Sequence, residues 1–156
     1  MDQEERQSAA RGCFGCGDLN PKGLALSFRI EDGVAVADFD PEPHHQGYPG
    51  VMHGGLVATI LDEAMGWAVY GQGIWAMTAR MQVRFRRSVP LAQRLRVSAR
   101  VTNRRQRLVE VRAELRDGSG SLLAEGEGAF LRVSPEKGKE LEKIYRAAAT
   151  SRSAPS

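Results

Sequence analysis

The chain has 156 residues, 42% of them hydrophobic and 26% charged, which fits one folded domain with a sizeable core and excludes disorder throughout. Its net charge of +3 is spread over several segments, so nucleic acid is not expected as a partner. No apolar run approaches the ~18–20 residues of a membrane span. Met1 to Arg6 is charged and has no apolar secretory core, so a cytoplasmic protein is expected.

Residues 1–11 are polar and read as a flexible segment. Cys13 and Cys16 make a CxxC, which is half of a zinc site, and His44, His45 or His53 would have to supply the rest. There is no second CxxC, and a glycine and an Asn-Pro turn follow. A packed turn is the better reading, and neither a metal nor a disulfide framework is expected. Leu24, Leu26, Phe28 and Ile30 alternate with Ala25, Ser27 and Arg29, the pattern of a half-buried strand. Asp32-Gly33 signals a hairpin, and Val34 to Phe39 reads as its return strand. Prolines and glycines from Pro41 to Gly50 form a loop that carries His44, His45, Gln46 and Tyr48.

A helix is expected from about Gly54 to the stop signals Gly71 and Gly73, burying Val57, Leu61, Ala64 and Ala68. Trp67, Tyr70 and Trp75 gather at its far end, for packing or for lining a pocket. Four alternating strands follow, through Met77–Arg86, Arg94–Val101, Val109–Arg116 and Ala124–Phe130. In the first, Thr78 falls in the same set as Arg80, Gln82, Arg84 and Arg86. One polar face per strand means an antiparallel sheet covered on one side, and the helix is the available cover. Gly126 and Gly128 suit the inner face, where the sheet curves closely. From about Ser134 the chain turns polar; residues 136–149 can form a helix, and 151–156 read as disordered.

The chemistry gathers at the helix start, His53-Gly54-Gly55. Two glycines allow close approach to the backbone, and the first N–H groups of a helix favour an oxygen that gains charge. Asp62 and Glu63 then stand inside an apolar helix, where a carboxylate is costly without a partner or a task. They project about 100° apart, so both cannot serve one site equally. Asp62 is nine residues beyond His53, about 13 Å along the axis. It is too distant to act on a group held at its own helix start. A second, antiparallel copy of the helix would deliver its Asp62 there, which points to a dimer. The plainer alternative is an Asp62 that is only hydrogen-bonded at an interface.

His-Gly-Gly, an aspartate nine residues on and Thr78 on the next strand resemble the hotdog-fold acyl-CoA thioesterases of the phenylacetate-degradation (PaaI-like) type. Cys13-Phe14-Gly15-Cys16-Gly17 and Asn20-Pro21-Lys22-Gly23-Leu24 resemble the lead-in of one branch, and the likeness covers residues 12–133. It implies an α+β hotdog domain, one long central helix wrapped by a curved antiparallel sheet of about six strands, with residues 134–156 as a polar tail. It also implies hydrolysis of an acyl-CoA to a free acid and CoA without a cofactor, by a homodimer paired again into a homotetramer.

In that scheme Gly55 offers its N–H to the thioester oxygen while Gly54 shapes the turn. Asp62 of the partner subunit is general base or nucleophile, and Glu63 is the second-choice carboxylate. His53 positions the loop. Thr78 orients water, unless it is an ordinary outward threonine. An asparagine common in the family six residues before the histidine is Gly47 here, and Gln46 beside it is the substitute donor. Arg84, Arg86 and Arg87 are the candidates for the CoA phosphates. The alternative is a hotdog module that binds acyl-CoA or another small ligand without turnover; a dehydratase fits the aspartate less well.

Overall fold

Period-two alternation in the second half of the chain resolves into one antiparallel sheet built around a single helix. The computed structural model describes residues 2–150. Its elements are α1 (Gln3–Ala9), β1 (Arg29–Glu31), β2 (Val34–Phe39), a 3-10 turn (Pro43–His45), α2 (Gly54–Tyr70), β3 (Ala76–Phe85), β4 (Leu95–Arg104), β5 (Leu108–Asp117), β6 (Leu122–Arg132) and α3 (Pro135–Thr150). No helix among the described residues is long and apolar enough to cross a membrane. The chain divides into the unit Phe28–Arg132 and a second unit made of the stretches before and after it.

In the first unit the sheet order is β1-β2-β4-β5-β6-β3, every neighbour antiparallel. The inward residues Ala35, Ala37, Val97, Ala99, Val109, Val111, Ala113, Leu115, Ala124 and Phe130 are buried. The opposite face carries cross-strand ion pairs such as Arg96–Asp38 at 2.6 Å and Arg112–Glu127 at 2.7 Å. Hydrogen bonds from Arg96, then from Arg29, hold the Asp38 carboxyl below the usual carboxylate range.

Strands β2 to β6 all touch α2. Five strands at about 4.8 Å spacing are wider than one helix of about 10 Å, so the sheet must curve round it. This explains why α2 buries Ile60, Met65, Trp67 and Val69 as well as the expected Val57, Leu61, Ala64 and Ala68. Gly128 lies where β6 passes close to Met65 of α2. A Cβ there would sit 2.8 Å from the Phe130 ring and 2.9 Å from Met65 Sδ. Phe28 stacks on Trp67 at 5.6 Å, and Tyr70 links edge-on to Trp67 and Trp75. Trp67 is fully buried, so it is a core residue. A six-stranded antiparallel sheet wrapped on one long helix is the hotdog fold.

The first strand is shorter than its alternation suggested. Leu24, Leu26 and Phe28 are buried and their neighbours Ala25 and Ser27 exposed. Hydrogen-bonded pairing nevertheless starts only at Arg29, and Ala25 takes a left-handed φ of 48° that breaks an extended run.

In the second unit, residues 1–11, expected to be irregular, carry α1. Asp2 Oδ1 accepts from the Glu5 N–H at 2.8 Å and Glu5 returns a bond to the Asp2 N–H, a capping box. Helix α3 packs against α1. Cys13 and Cys16 sit in a tight turn closed by the Gly17 N–H to Cys13 O at 2.9 Å. A Cβ on Gly17 would run into the Arg11 and Cys13 carbonyls, so only glycine fits. Asn20 fastens the next turn through Gly12 O and the Lys22 N–H. The segment 151–156, expected to be disordered, lies outside the described residues.

Candidate active site

The loop before α2 is held by its own backbone. Gly47 N–H donates to Val51 O, Met52 N–H to Val89 O and His53 N–H to His45 O, each within 2.9 Å. Gln46 Oε1 accepts from the Gly50 N–H at 3.0 Å, which ties down the proposed amide donor. At Gly47, where the family pattern has asparagine, a Cβ would stand 3.0 Å from His53 Cα. A side chain there would press on the His53 backbone, which would have to give by a few tenths of an ångström.

His53 is the N-cap of α2. Its backbone is extended, and its Nδ1 accepts from the Gly55 N–H at 3.0 Å. Leu56 and Val57 N–H groups donate to His53 O. Gly54 N–H therefore has no hydrogen-bond acceptor among the described residues, whereas the Gly55 N–H expected to be open is already engaged. The positive end of the helix dipole is exposed at Gly54, which is solvent-accessible. Beside it stands Phe85, the last residue of β3. Its ring lies 3.5 Å from where a Gly54 Cβ would be and is 56% exposed.

Two turns further on, Asp62 accepts a 2.8 Å hydrogen bond from Thr78 Oγ1. Strict alternation would have turned Thr78 outward with Arg80 and Gln82. A β-bulge between Thr78 and Arg80 reverses this. Thr78 pairs with the inward Phe130 while Arg80 pairs with Ala129, so Ala79 is the extra residue and Thr78 rejoins the face of Met81, Val83 and Phe85. Asp62 and Glu63 are both half-buried. Gly54 and Asp62 are eight residues apart, about 12 Å along the helix, so one chain does not bring them together.

The expected phosphate-binding arginines are partly committed. Arg86 donates to Glu125 Oε1 at 2.5 Å and Arg84 lies 3.9 Å from the same oxygen. Arg87 is exposed, and its charge helps keep the Asp117 carboxyl acidic, a minor contribution after the bonds from Ser119 and Ser121. His45, half-noticed in the sequence, is buried at 5% exposure. Its Nδ1 accepts from the Glu42 N–H at 2.9 Å, and its Nε2 has no partner among the described residues.

A family model described as the thioesterase superfamily matches residues 49–124, which include His53, Gly54, Asp62 and Thr78. The acyl-coenzyme A thioesterase THEM4 of Bos taurus is 32% identical over 120 residues, covering 74% of this chain and 49% of that protein. The chain spans about half the length of the curated relatives it matches. Among solved structures, the thioesterase superfamily protein RHA08564 aligns with a TM-score of 0.75 and 26% identity, over 78% of this chain and 60% of that one. The conserved protein PA5202 from Pseudomonas aeruginosa aligns with a TM-score of 0.64 and 31% identity, over 70% of this chain and 90% of that one.

Proposed function

Since this chain belongs to the thioesterase superfamily, we propose that it hydrolyses an acyl-CoA thioester to a free acid and CoA. The observation that carries the reading is the Thr78–Asp62 hydrogen bond on a helix whose first N–H is open. Thr78 spends its proton on Asp62, so its oxygen lone pairs can receive one O–H of a water while Asp62 receives the other. This favours Asp62 as general base. The water oxygen adds to the thioester carbon as Asp62 takes its proton. The carbonyl oxygen becomes an oxyanion facing Gly54 N–H at the positive helix end. Collapse breaks the C–S bond, and the departing CoA sulfur takes the proton from Asp62.

The oxyanion donor is thus Gly54, with Gly55 and His53 setting the geometry of the helix start. Because ~12 Å separates Gly54 from Asp62 on one helix, the working site joins Gly54 of one protomer to Asp62 of the partner subunit. The ten-residue edge strand β3, paired only with β6 among the described residues, offers the surface for that second copy. With Arg84 and Arg86 facing Glu125, Arg87 becomes the first candidate for a CoA phosphate. Arg87→Ala should raise KM more than it lowers kcat, and the difference should shrink in high salt.

The test is release of free CoA thiol across short, medium, long and aryl acyl-CoAs. Wild type should turn over at least one class. Asp62→Asn keeps shape but not charge, and should lower kcat about 10²–10⁴-fold while still binding the ester. Wild-type protein that binds acyl-CoA and releases no thiol from any class would replace this reading with the binding module.

A further inference from the structure

We propose that Cys13 and Cys16 form a reversible thiol–disulfide pair, in which Cys13 meets a small-molecule disulfide and Cys16 resolves the product. None of the steps proposed for hydrolysis uses either cysteine. A CxxC is often a packed turn and nothing more; here the backbone builds the two thiols into one place. The bond from the Gly17 N–H to Cys13 O closes a single helical turn. Residues three apart in such a turn have Cα atoms roughly 5 Å apart, inside the span of about 4.4–6.8 Å that a disulfide bridges. The two Sγ atoms lie within 4.8 Å of each other. Side-chain rotation can therefore join them with little movement of the backbone.

The turn is fixed by its carbonyls rather than by its sulfurs. Phe14 O accepts from the Leu24 N–H at 2.8 Å and Gly15 O from the Leu26 N–H at 2.9 Å. Cys16 O accepts from Gln7 Nε2 at 3.2 Å. With the Gly17 bond, every carbonyl from Cys13 to Cys16 has a donor. A turn held in this way keeps the thiols close whether or not they are bonded, which raises the effective concentration of one toward the other. Their access differs. Cys16 is 3% exposed, whereas Cys13 is half-buried. An entering disulfide therefore reaches Cys13 first.

The exchange balances with a small disulfide such as oxidised glutathione as the oxidant. The Cys13 thiolate attacks one glutathione sulfur. The glutathione S–S bond breaks, and the first glutathione leaves as a thiolate that takes up a proton. The Cys16 thiolate then attacks Cys13 Sγ, which closes the intrachain disulfide and releases the second glutathione. Two electrons and two thiol protons pass from the cysteines to the glutathione disulfide. Excess reduced glutathione runs the same steps backward. This is one four-residue ring that opens and closes, not a disulfide framework.

Intact-protein mass spectrometry of the full chain incubated with oxidised glutathione reads the pair directly. Wild type should lose two hydrogens, carry no glutathione, and regain the hydrogens under excess reduced glutathione. Cys16→Ser should stop at one glutathione on Cys13. Cys13→Ser should take up glutathione about tenfold more slowly, because its remaining thiol is buried. Circular dichroism should show both variants folded; should one misfold, the wild-type mass alone still decides whether the pair closes. Wild type that keeps both thiols under excess oxidised glutathione overturns the proposal, and if a chelator then makes them react, the pair is a metal site instead. A stable glutathione adduct on wild type, or a disulfide between two chains, overturns it as well. Equal rates in the two serine variants would remove the division of roles between Cys13 and Cys16.

Discussion

Asp62 and Glu63 are adjacent, half-buried carboxylates on different sides of α2. Thr78 donates to Asp62, and Glu63 leaves the helix about 100° away. Glu63→Gln should therefore cost much less activity than Asp62→Asn; kcat for the two variants against one acyl-CoA decides the ranking, and the reverse order moves the base to Glu63. The same scale separates Gly54 from Gly55. Gly54→Pro removes the open N–H at the first helical position, where proline's φ is already suitable and the extended His53 tolerates it. Circular dichroism should stay native while kcat falls about 10²–10³-fold. His45 carries a stability prediction. Burial, and then the neighbouring His44, lower its pKa below 6.5. Below that pH the unfolded chain binds a proton that the folded one resists, so stability is lost as pH falls. Thermal scans from about pH 7.5 to 5.5 should show Tm falling, and His45→Phe should flatten the slope.

At the scale of the element, β3 owes its usefulness to one extra residue. Deleting Ala79 removes the bulge and leaves Thr78 next to outward Arg80, so plain alternation now holds Thr78 on the inner face. The variant should keep its far-ultraviolet spectrum and more activity than Thr78→Val, measured as kcat against one acyl-CoA; a loss as deep as that of Thr78→Val would mean that the bulge itself, beyond the face it gives Thr78, sets the contact with Asp62. The neighbouring β6 shows the same economy in its glycines. A methyl at Gly128 would meet Phe130 and Met65 below 3.0 Å, while one at Gly126 would touch Leu61 at an ordinary 3.5 Å. Gly128→Ala should thus destabilise by about 1–3 kcal/mol in denaturant titrations and Gly126→Ala by less.

For the whole molecule the decisive quantity is the distance along α2. A helix rises too far between Gly54 and Asp62 for one chain to supply both, so activity should depend on association. Chains with Asp62→Ala and chains with Gly54→Pro should each be inactive alone. Mixed under conditions that exchange protomers, half the dimers are hybrid and each holds one intact site, which returns about a quarter of wild-type activity. No recovery on exchange, or a fully active monomer in sedimentation, would place both halves of the chemistry in one chain. Sedimentation also reports whether the dimers pair again into the expected tetramer.

The order of strands, the bounds of α2 and the separation of Gly54 from Asp62 were all legible in the sequence. Each follows from a local period or a fixed rise, which the order of residues along the chain dictates. Even α1 had its signal in Asp2 and Glu5, although no apolar stripe drew attention to it. Other features depended on neighbours distant in the chain. The face of Thr78 was set by the register of β3 on β6, since a bulge is a mismatch between two strands and has no period of its own. The open N–H was Gly54 rather than Gly55 because His53 folds back onto the second glycine. Arg84 and Arg86 met Glu125 only when β6 lay beside β3. Periodicity determined which elements form; cross-strand register and capping decided which atoms face the site.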